Sequence, residues 1–289
     1  MAARRPAPRK TAPEKPRKRT RPAPGGTSAA APAALEPIDL ERIAPAARAL
    51  AAGTPPIFIG TSGFSYAEWR GFFYPEKLAS KGFLPFYAAC FPTTEINNTF
   101  YRIPRLALTE QWAAAVPADF RFTLKLSQRI THIKRLKEVD QEMSWFASAA
   151  LGLGNKLGPL LVQLPPNFKK DFERLDTFLG KHAPRSSLVF EFRHASWFDD
   201  EVYALLRAHG AALAVVEMEA GDTLPRPRLV TGPFVYMRLR KGTYTPEELA
   251  GWAAWMQSQS VPVYCYLKHD DQAPVLAAAL VQAFTPGAP

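Results

Sequence analysis

The chain has 289 residues, and its apolar share of 47% is ordinary for a globular protein of one large domain or two smaller ones. No apolar run approaches the roughly 18 residues that a membrane span needs, so we expect no contact with a membrane. The formal net charge of +10 is unevenly spread, because residues 1–22 hold nine Lys or Arg and one Glu while the rest is close to neutral.

Residues 1–52 are predicted to be a disordered tail rich in Pro, Ala and basic residues, in which residues 36–52 could form a short helix. The basic residues 1–22 could contact nucleic acid or another polyanion. They include no aromatic side chain that could stack on bases. The alternatives are a solvated tail or a start site assigned too far upstream. Arg4-Arg5 is followed by proline and charge, so no secretory signal is predicted.

Residues 53–289 alternate between strand-like and helix-like patterns and are predicted to form one domain. Strands are predicted at 57–62, 93–97, 120–127, 159–166, 187–192, 212–217, 233–239 and 261–267. Helices are predicted at 84–91, 107–116, 138–154, 171–182, 199–210, 245–257 and 273–284. Thr109 is expected to cap the second of these helices, and Thr245 and Glu248 to form a capping box at the sixth.

Eight apolar strands, most of them followed by a helix, predict an α/β fold: a single (β/α)8 TIM-type barrel with a parallel sheet inside a ring of helices. The competing architecture is a doubly wound open sheet. Such a sheet usually carries a GxGxxG phosphate turn after its first strand. The corresponding stretch here reads GTSGFS (60–65), which favours the barrel.

Ionisable and amide side chains stand at the carboxyl ends of most predicted strands, where (β/α)8 barrels build their active sites. In FEFRHASWF (190–198), for example, an acid, a guanidinium and an imidazole interrupt an apolar run. Burying a charge is costly unless the charge is paired. The convergence of these side chains on the mouth of the barrel therefore indicates a polar ligand pocket. The predicted catalytic residues are Glu95, Lys125, Glu191 and His194. The predicted substrate-binding residues are Asn97, Tyr101, Arg102, Gln163, Arg193, Arg238 and Asp270, and no metal site is assigned.

Each of these groups also has a purely structural alternative. A buried network that only neutralises charge would explain the ionisable set Glu95, Lys125, Glu191, Arg193 and Arg238. Hydrogen bonds to the backbone of a loop or of a strand edge would explain His132, Gln163 and His194.

Several long stretches are similar to a known family. They are GTSGFSYAEWRGFFYP (60–75), EINNTFYRIP (95–104), FRFTLKLSQRITH (120–132), LGPLLVQLPPNF (157–168), FEFRHASW (190–197) and YMRLRKGTY (236–244). Through them the chain from about 57 to 285 resembles the DUF72 (YecE-like) family. The resemblance implies a (β/α)8 barrel, and it implies no reaction, because the family has no established biochemical function.

The chain departs from the family pattern at two strand ends. Where the family usually has His and Gly after the Arg-Leu pair of the seventh strand, this chain has Arg240 and Lys241. Where the family usually ends the eighth strand with an aromatic residue, two Asn and an Asp, this chain has Leu267-Lys268-His269-Asp270. The mouth near these strands is therefore more basic than the family pattern. Many barrels bind phosphate there, so we expect an anionic ligand.

Three functions remain open. The first is a hydrolase or lyase for a phosphorylated or sugar-containing substrate, with Glu95 and Glu191 as acid and base. In it, Lys125, Arg193 and Arg238 would hold an anionic group. The second is a non-catalytic binding module for an anionic ligand or nucleic acid. The third is a metal-dependent phosphodiesterase, whose candidate ligands would be Glu95, Glu191, His194, His269 and Asp270.

The sequence implies no cofactor. Its two cysteines, Cys90 and Cys265, lie far apart and match no metal-ligand spacing. Such sparse cysteine use is compatible with a reducing cytoplasm, and we expect a cytoplasmic protein.

Overall fold

Eight parallel strands pair in chain order and close on themselves, which confirms the predicted (β/α)8 barrel. The computed structural model describes residues 38–218, 221, 223–268 and 271–284. The strands are β1 Ile57–Ser62, β2 Thr93–Ile96, β3 Arg121–Lys125, β4 Leu157–Gln163, β5 Leu188–Glu191, β6 Ala212–Glu217, β7 Val235–Leu239 and β8 Val263–Leu267. Closure leaves no edge strand, because β8 pairs with β1 over Ile57–Thr61.

The described α-helices surround the sheet. They are α1 Leu40–Ala51, α2 Phe83–Cys90, α3 Leu106–Ala114, α4 Asp140–Ala150, α5 Phe172–His182, α6 Asp200–Ala208, α7 Pro246–Gln257 and α8 Ala273–Gln282. In this part of the chain, no helix is long and apolar enough to cross a membrane. Both cysteines are buried and free.

Two predicted helix caps have different outcomes. The capping box is confirmed: the backbone N–H of Glu248 donates to Thr245 Oγ1 at 3.2 Å, and that of Thr245 donates to Glu248 Oε2 at 3.0 Å. The predicted N-cap role of Thr109 is wrong, because α3 already begins at Leu106. The Thr109 hydroxyl is buried and donates instead to the carbonyls of Leu106, at 2.7 Å, and Ala149, at 2.6 Å. It therefore ties α3 to the end of α4.

Helix α1 belongs to the folded barrel, which corrects the predicted tail boundary at residue 52. Asp39 caps the helix by accepting from the N–H of Arg42 at 3.2 Å. Ile43 and Ala47 lie one turn apart on one face and are fully buried in the main core, where α1 packs on β1, α2 and α8. The rest of the predicted tail, residues 1–37, lies outside the described residues.

The inside of the barrel is a second, smaller core. Its buried members are Leu161, Val189, Ala212, Ala214, Val216, Phe234, Tyr236 and Tyr266. The Tyr266 hydroxyl lies 2.9 Å from Thr93 Oγ1 and 2.7 Å from Thr123 Oγ1, which satisfies the polar atoms buried among these side chains. The barrel is therefore a filled core rather than a pore, and a ligand can approach its polar strand ends only from the mouth.

We expect Ile43→Ala to lower the free energy of unfolding by about 2–5 kcal/mol, because it removes a fully buried side chain and leaves a cavity under α1. Urea denaturation of the full chain measures the loss. The matched control is Arg42→Ala on the exposed face of the same helix, which should change stability by about 0.5 kcal/mol or less. Equal effects of the two substitutions would contradict the docking of α1.

Candidate functional site

The inward faces of the strands change from apolar to polar at their carboxyl ends. Tyr236 of β7 lies in the barrel interior, and Arg238 follows two positions later on the same face. In β5, Val189 is likewise followed by Glu191. The resulting polar layer above the interior core consists of Ser62, Glu95, Lys125, Gln163, Glu191 and Arg238.

A single guanidinium joins Glu95 and Glu191, the two carboxylates predicted to act as acid and base. Arg238 is 2% exposed, and its Nη2 lies 2.8 Å from Oε1 of Glu95. Its Nη1 donates to Oε2 of Glu191. Strands β2, β5 and β7 are thus connected through one buried side chain, and charge-assisted hydrogen bonds of this kind are among the stronger ones in proteins.

Glu95 is completely buried and is surrounded by donors. Its Oε1 accepts from Ser62 Oγ, from Asn97 Nδ2 at 2.9 Å and from Arg238, and its Oε2 accepts from the Tyr236 hydroxyl at 2.5 Å. Burial by itself raises the pKa of Glu95, but Arg238 and the neighbouring hydrogen bonds outweigh burial and hold that pKa below its usual value. Glu95 is therefore a fixed anion in the floor of the site.

Glu191 faces three guanidinium groups. Arg238 contacts one carboxylate oxygen, while Arg193 Nη2 contacts the other and Arg240 Nη1 lies 3.8 Å from it. The contacts at the second oxygen, Oε1, are ionic, because no donor among the described residues makes an aligned hydrogen bond to it. Burial raises the pKa of Glu191, but Arg238, Arg193 and Arg240 together lower it to about 2. Glu191 is therefore ionised at neutral pH.

The cluster carries more positive than negative charge. Three guanidinium groups face two carboxylates, before Lys125 is counted. Arg238 is buried, whereas the side chains of Arg193 and Arg240 are 20% and 19% exposed, respectively. Burial lowers the pKa of Arg240 to about 10, and Arg238 adds to this effect. The accessible layer of the site is therefore cationic, above a floor in which Arg238 is paired with two carboxylates.

Several donors of this layer have no acceptor. Among the described residues, Nε of Arg193, Nε of Arg238 and Nη1 of Arg240 are buried and make no hydrogen bond. Leaving a buried N–H of a charged group unsatisfied is unfavourable. An anion at the mouth would supply the missing acceptors.

Lys125 is the amine of the site. Its Nζ donates to Gln163 Oε1 at 2.8 Å and lies 4.2 Å from the centroid of the Phe100 ring. It forms no ion pair with a carboxylate of the described residues. Burial and the charge of Arg238 lower its pKa to about 8, although Glu95 and Glu191 act in the opposite direction. Lys125 and Gln163 therefore sit together at the adjacent ends of β3 and β4.

The geometry gives His194 a role in its loop. Its Nδ1 accepts from the N–H of Ser196 at 3.1 Å and lies 2.9 Å from Ser196 Oγ, which caps the short turn after β5. This matches the structural alternative of a hydrogen bond to the loop backbone. A catalytic role for His194 stays a prediction.

Tyr101 and Arg102 lie on the segment that follows β2. Tyr101 is 74% exposed, and both residues line a surface groove of about 420 Å³ with Leu108 and Trp112 of α3. No described contact connects either side chain to Arg238. The Tyr101 ring packs edge-on against Phe100 at 5.0 Å, and Phe100 lies 4.2 Å from Lys125 Nζ. A substrate-binding role for Tyr101 and Arg102 stays a prediction. The predicted site residue Asp270 lies outside the described residues.

Tyr236 and Arg240 belong to the cluster but were not among the predicted site residues. Both lie two positions from Arg238, so period-two alternation in β7 was a signal that could have found them. Ser62 ends β1, and its hydroxyl contacts Glu95 and accepts from Asn97 Nδ2 at 2.7 Å. Nothing local in the sequence indicates that pairing.

The described residues contain no group of three His, Cys, Asp or Glu side chains that could hold a metal ion. Of the candidate metal ligands, Glu95 and Glu191 are bound to Arg238, and Nδ1 of His194 is occupied by its loop. His269 lies outside the described residues, as Asp270 does. The surplus of guanidinium groups around Glu191 repels a cation.

Replacing Arg238 tests the buried network. We expect Arg238→Met to cost about 3–5 kcal/mol of stability at pH 7, because it leaves two buried carboxylates short of their shared partner. The pKa of Glu191 is depressed in the folded wild type, so its stabilisation is present above its ordinary pKa of 4.5 and is lost as the pH falls toward about 2. In the variant, protonation of Glu95 and Glu191 removes their unpaired charge. The difference in stability between the wild type and the variant should therefore become smaller as the pH is lowered from 7 toward 4.

Urea denaturation across this pH range measures both effects. The control is Lys170→Met, which removes a partly exposed amine that pairs with Asp199 at 2.5 Å and should have a much smaller effect. If the stability lost in Arg238→Met were the same at every pH, this result would contradict the conclusion that Glu95 and Glu191 are ionised.

The comparisons with known proteins concern this same barrel. The DUF72 family, described as "protein of unknown function DUF72", matches residues 58–288. UPF0759 protein YunF of Bacillus subtilis (strain 168) is 30% identical over 155 residues, which cover 51% of this chain and 54% of that protein. UPF0759 protein YecE of Escherichia coli (strain K12) is 27% identical over 143 residues, which cover 49% of this chain and 50% of that protein. The chain thus spans about half the length of these curated relatives.

Solved structures agree with the family match. A DUF72 family protein from Thermotoga maritima MSB8 is 29% identical with a TM-score of 0.69, and the match covers 78% of this chain and 98% of that one. A DUF72 family protein from Enterococcus faecalis V583, 19% identical with a TM-score of 0.68, matches in fold and covers 79% of this chain and 95% of that one. Because the family match extends over nearly the whole barrel, this chain belongs to the DUF72 family of proteins of unknown function.

Proposed function

We propose that this protein binds a small ligand carrying a phosphate or carboxylate group at the mouth of the barrel, with Arg193 and Arg240 as the contacting groups. The observation that carries the proposal is the arrangement of three guanidinium groups around Glu191. Three guanidinium groups face only two carboxylates, Glu95 and Glu191, which leaves one positive charge in excess before Lys125 is counted. The surplus charge lies on the two arginines that remain partly exposed.

The hydrogen-bonding capacity of the cluster supports an anion of this kind. Buried N–H groups of Arg193 and Arg240 lack acceptors among the described residues. Guanidinium groups bind phosphate and carboxylate oxygens through paired, charge-assisted hydrogen bonds. A free phosphate and a carboxylate both meet this requirement, and a sugar phosphate would also fit the broader expectation of a sugar-containing ligand.

Hydrolysis or lysis by a pair of carboxylates is less well supported than binding. A general acid must hold a proton at the working pH, and an efficient base has a pKa near it. The pKa of Glu191 is about 2 and that of Glu95 is also lowered, so neither carboxyl holds a proton at neutral pH. Both are buried, and Arg238 binds one oxygen of each. These carboxylates are better suited to positioning the arginines than to proton transfer.

Contact with nucleic acid through residues 1–22 stays a separate prediction, which rests on the nine basic residues in that segment. These residues lie outside the described part of the chain. Binding through them would depend steeply on salt and would not require Arg193 or Arg240.

The binding proposal is tested with inorganic phosphate and the full chain. Isothermal titration calorimetry should show that Arg193→Gln and Arg240→Gln each weaken phosphate binding about tenfold or more, since a charge-assisted hydrogen bond contributes about 1.5–3 kcal/mol. Arg105→Gln is the control, because it removes the same charge from an exposed position at the start of α3. The thermal unfolding midpoint of each variant shows whether it is folded.

Unchanged phosphate affinity in folded Arg193→Gln and Arg240→Gln proteins would overturn the proposal. An equal loss in Arg105→Gln would do the same, because it would indicate general charge attraction rather than a site.

A further inference from the structure

The environment of Lys125 differs from that of most other lysines whose contacts are described. Lys134, Lys170, Lys181 and Lys241 each pair with at least one carboxylate. Lys125 donates only to the neutral amide oxygen of Gln163 and lies over the Phe100 ring. It stands half-buried at the inward-facing carboxyl end of β3, beside the charged cluster. In this arrangement, Nζ of Lys125 lies at the mouth of the barrel without a carboxylate counter-ion.

The charges around Lys125 favour its neutral form. Burial, Arg238 and Arg193 lower its pKa to about 8, although Glu95 and Glu191 oppose them. In the loop that follows β3, the carboxylate-bearing residue Glu138 is exposed, and His132 packs edge-on against the Phe100 ring at 4.8 Å. A lysine desolvated beside other cations is a chemically activated amine. Near neutral pH, a fraction of Lys125 therefore carries a free electron pair.

We propose that Lys125 is a carbonyl-reactive lysine, which forms a Schiff base with an aldehyde or ketone whose anionic group is held by Arg193 and Arg240. This inference rests on the proposed anion site for the orientation of the ligand. The ligand class is a small carbonyl compound with a phosphate or carboxylate group. Its anion supplies the acceptors that the guanidinium groups lack, and its carbonyl meets the amine.

The step balances without an oxidant or a metal. The electron pair of the neutral Nζ adds to the carbonyl carbon, and the carbonyl oxygen takes up a proton to give a carbinolamine. Loss of that oxygen as water, with one proton taken from solvent overall, leaves the protonated C=N bond to Lys125. Addition of water reverses the step. The cationic C=N bond withdraws electrons from a neighbouring C–C or C–H bond, which is the chemistry of a lyase rather than of a hydrolase.

Hydride trapping tests the inference on the full chain. The protein is incubated with pyruvate in one arm and with dihydroxyacetone phosphate in the other, and each arm is then treated with sodium borohydride. Reduction converts a Schiff base into a stable secondary amine, which intact mass and peptide mapping locate. We expect one adduct, on Lys125, in at least one arm, and the reactive arm distinguishes a carboxylate from a phosphate ligand.

Variants give the trapping experiment its controls. Lys125→Arg keeps the positive charge but removes the nucleophile, so adduct yield should fall about tenfold or more. Lys181→Arg, on the surface of α5, should leave the yield unchanged. Trapping should increase as the pH is raised through about 8, below the range expected for an ordinary surface lysine. Because peptide mapping of the wild type locates the adduct directly, the result does not depend on how Lys125→Arg folds.

Absence of an adduct in both arms would overturn the inference, as would labelling spread evenly over surface lysines. The calorimetric phosphate titration separates the two proposals. Phosphate binding without a Lys125 adduct would contradict the Schiff-base proposal and support the anion site. If a Lys125 adduct forms with the same yield in Arg193→Gln and Arg240→Gln as in the wild type, Schiff-base formation at Lys125 is supported and the anion site is contradicted.

Discussion

The guanidinium of Arg238 is the interaction on which the site depends. It is buried at the mouth of the barrel, and its two terminal nitrogens each contact a carboxylate, one from β2 and one from β5. Taken singly, each of these three charges would be costly to bury. Together they form a nearly closed network, completed by hydroxyl and amide donors around Glu95. This network is what allows an ionised floor to exist above an apolar barrel core.

The floor determines what the upper layer can do. Glu95 and Glu191 both bind Arg238, and Glu191 also contacts Arg193 and lies 3.8 Å from Arg240, so neither carboxylate is free for a ligand. The same two acids raise the pKa of Lys125 while the arginines and burial lower it, and the second effect is larger. An excess of guanidinium groups therefore has two consequences. It suits the mouth to the anion that we propose as ligand, and it favours the neutral form of the amine beside it.

How far the site could be predicted varied with the kind of residue. The positions of Glu191, Arg193 and Arg238 at the carboxyl ends of strands predicted that they would converge on one mouth, and the structure brings the three side chains together. Alternation, which turns every second side chain of a strand to the same face, was a further signal. The same rule applied fully to β7 would have added Tyr236 and Arg240. Tyr101 and Arg102 follow a strand end in the sequence, where the chain turns before it reaches α3, and they line a groove without a described contact to Arg238. No strand periodicity extends into such a turn.

The sequence by itself determined the order of strands and helices, the capping box of α7 and the polar character of the strand ends, because these follow from local periodicity and local hydrogen bonds. Only the tertiary structure decided which charges meet. Glu95 and Arg238 are 143 positions apart, and their pairing arises from closure of the sheet. The docking of α1 is a similar case, because the burial of Ile43 depends on packing against β1, α2 and α8 rather than on the short amphipathic pattern around it.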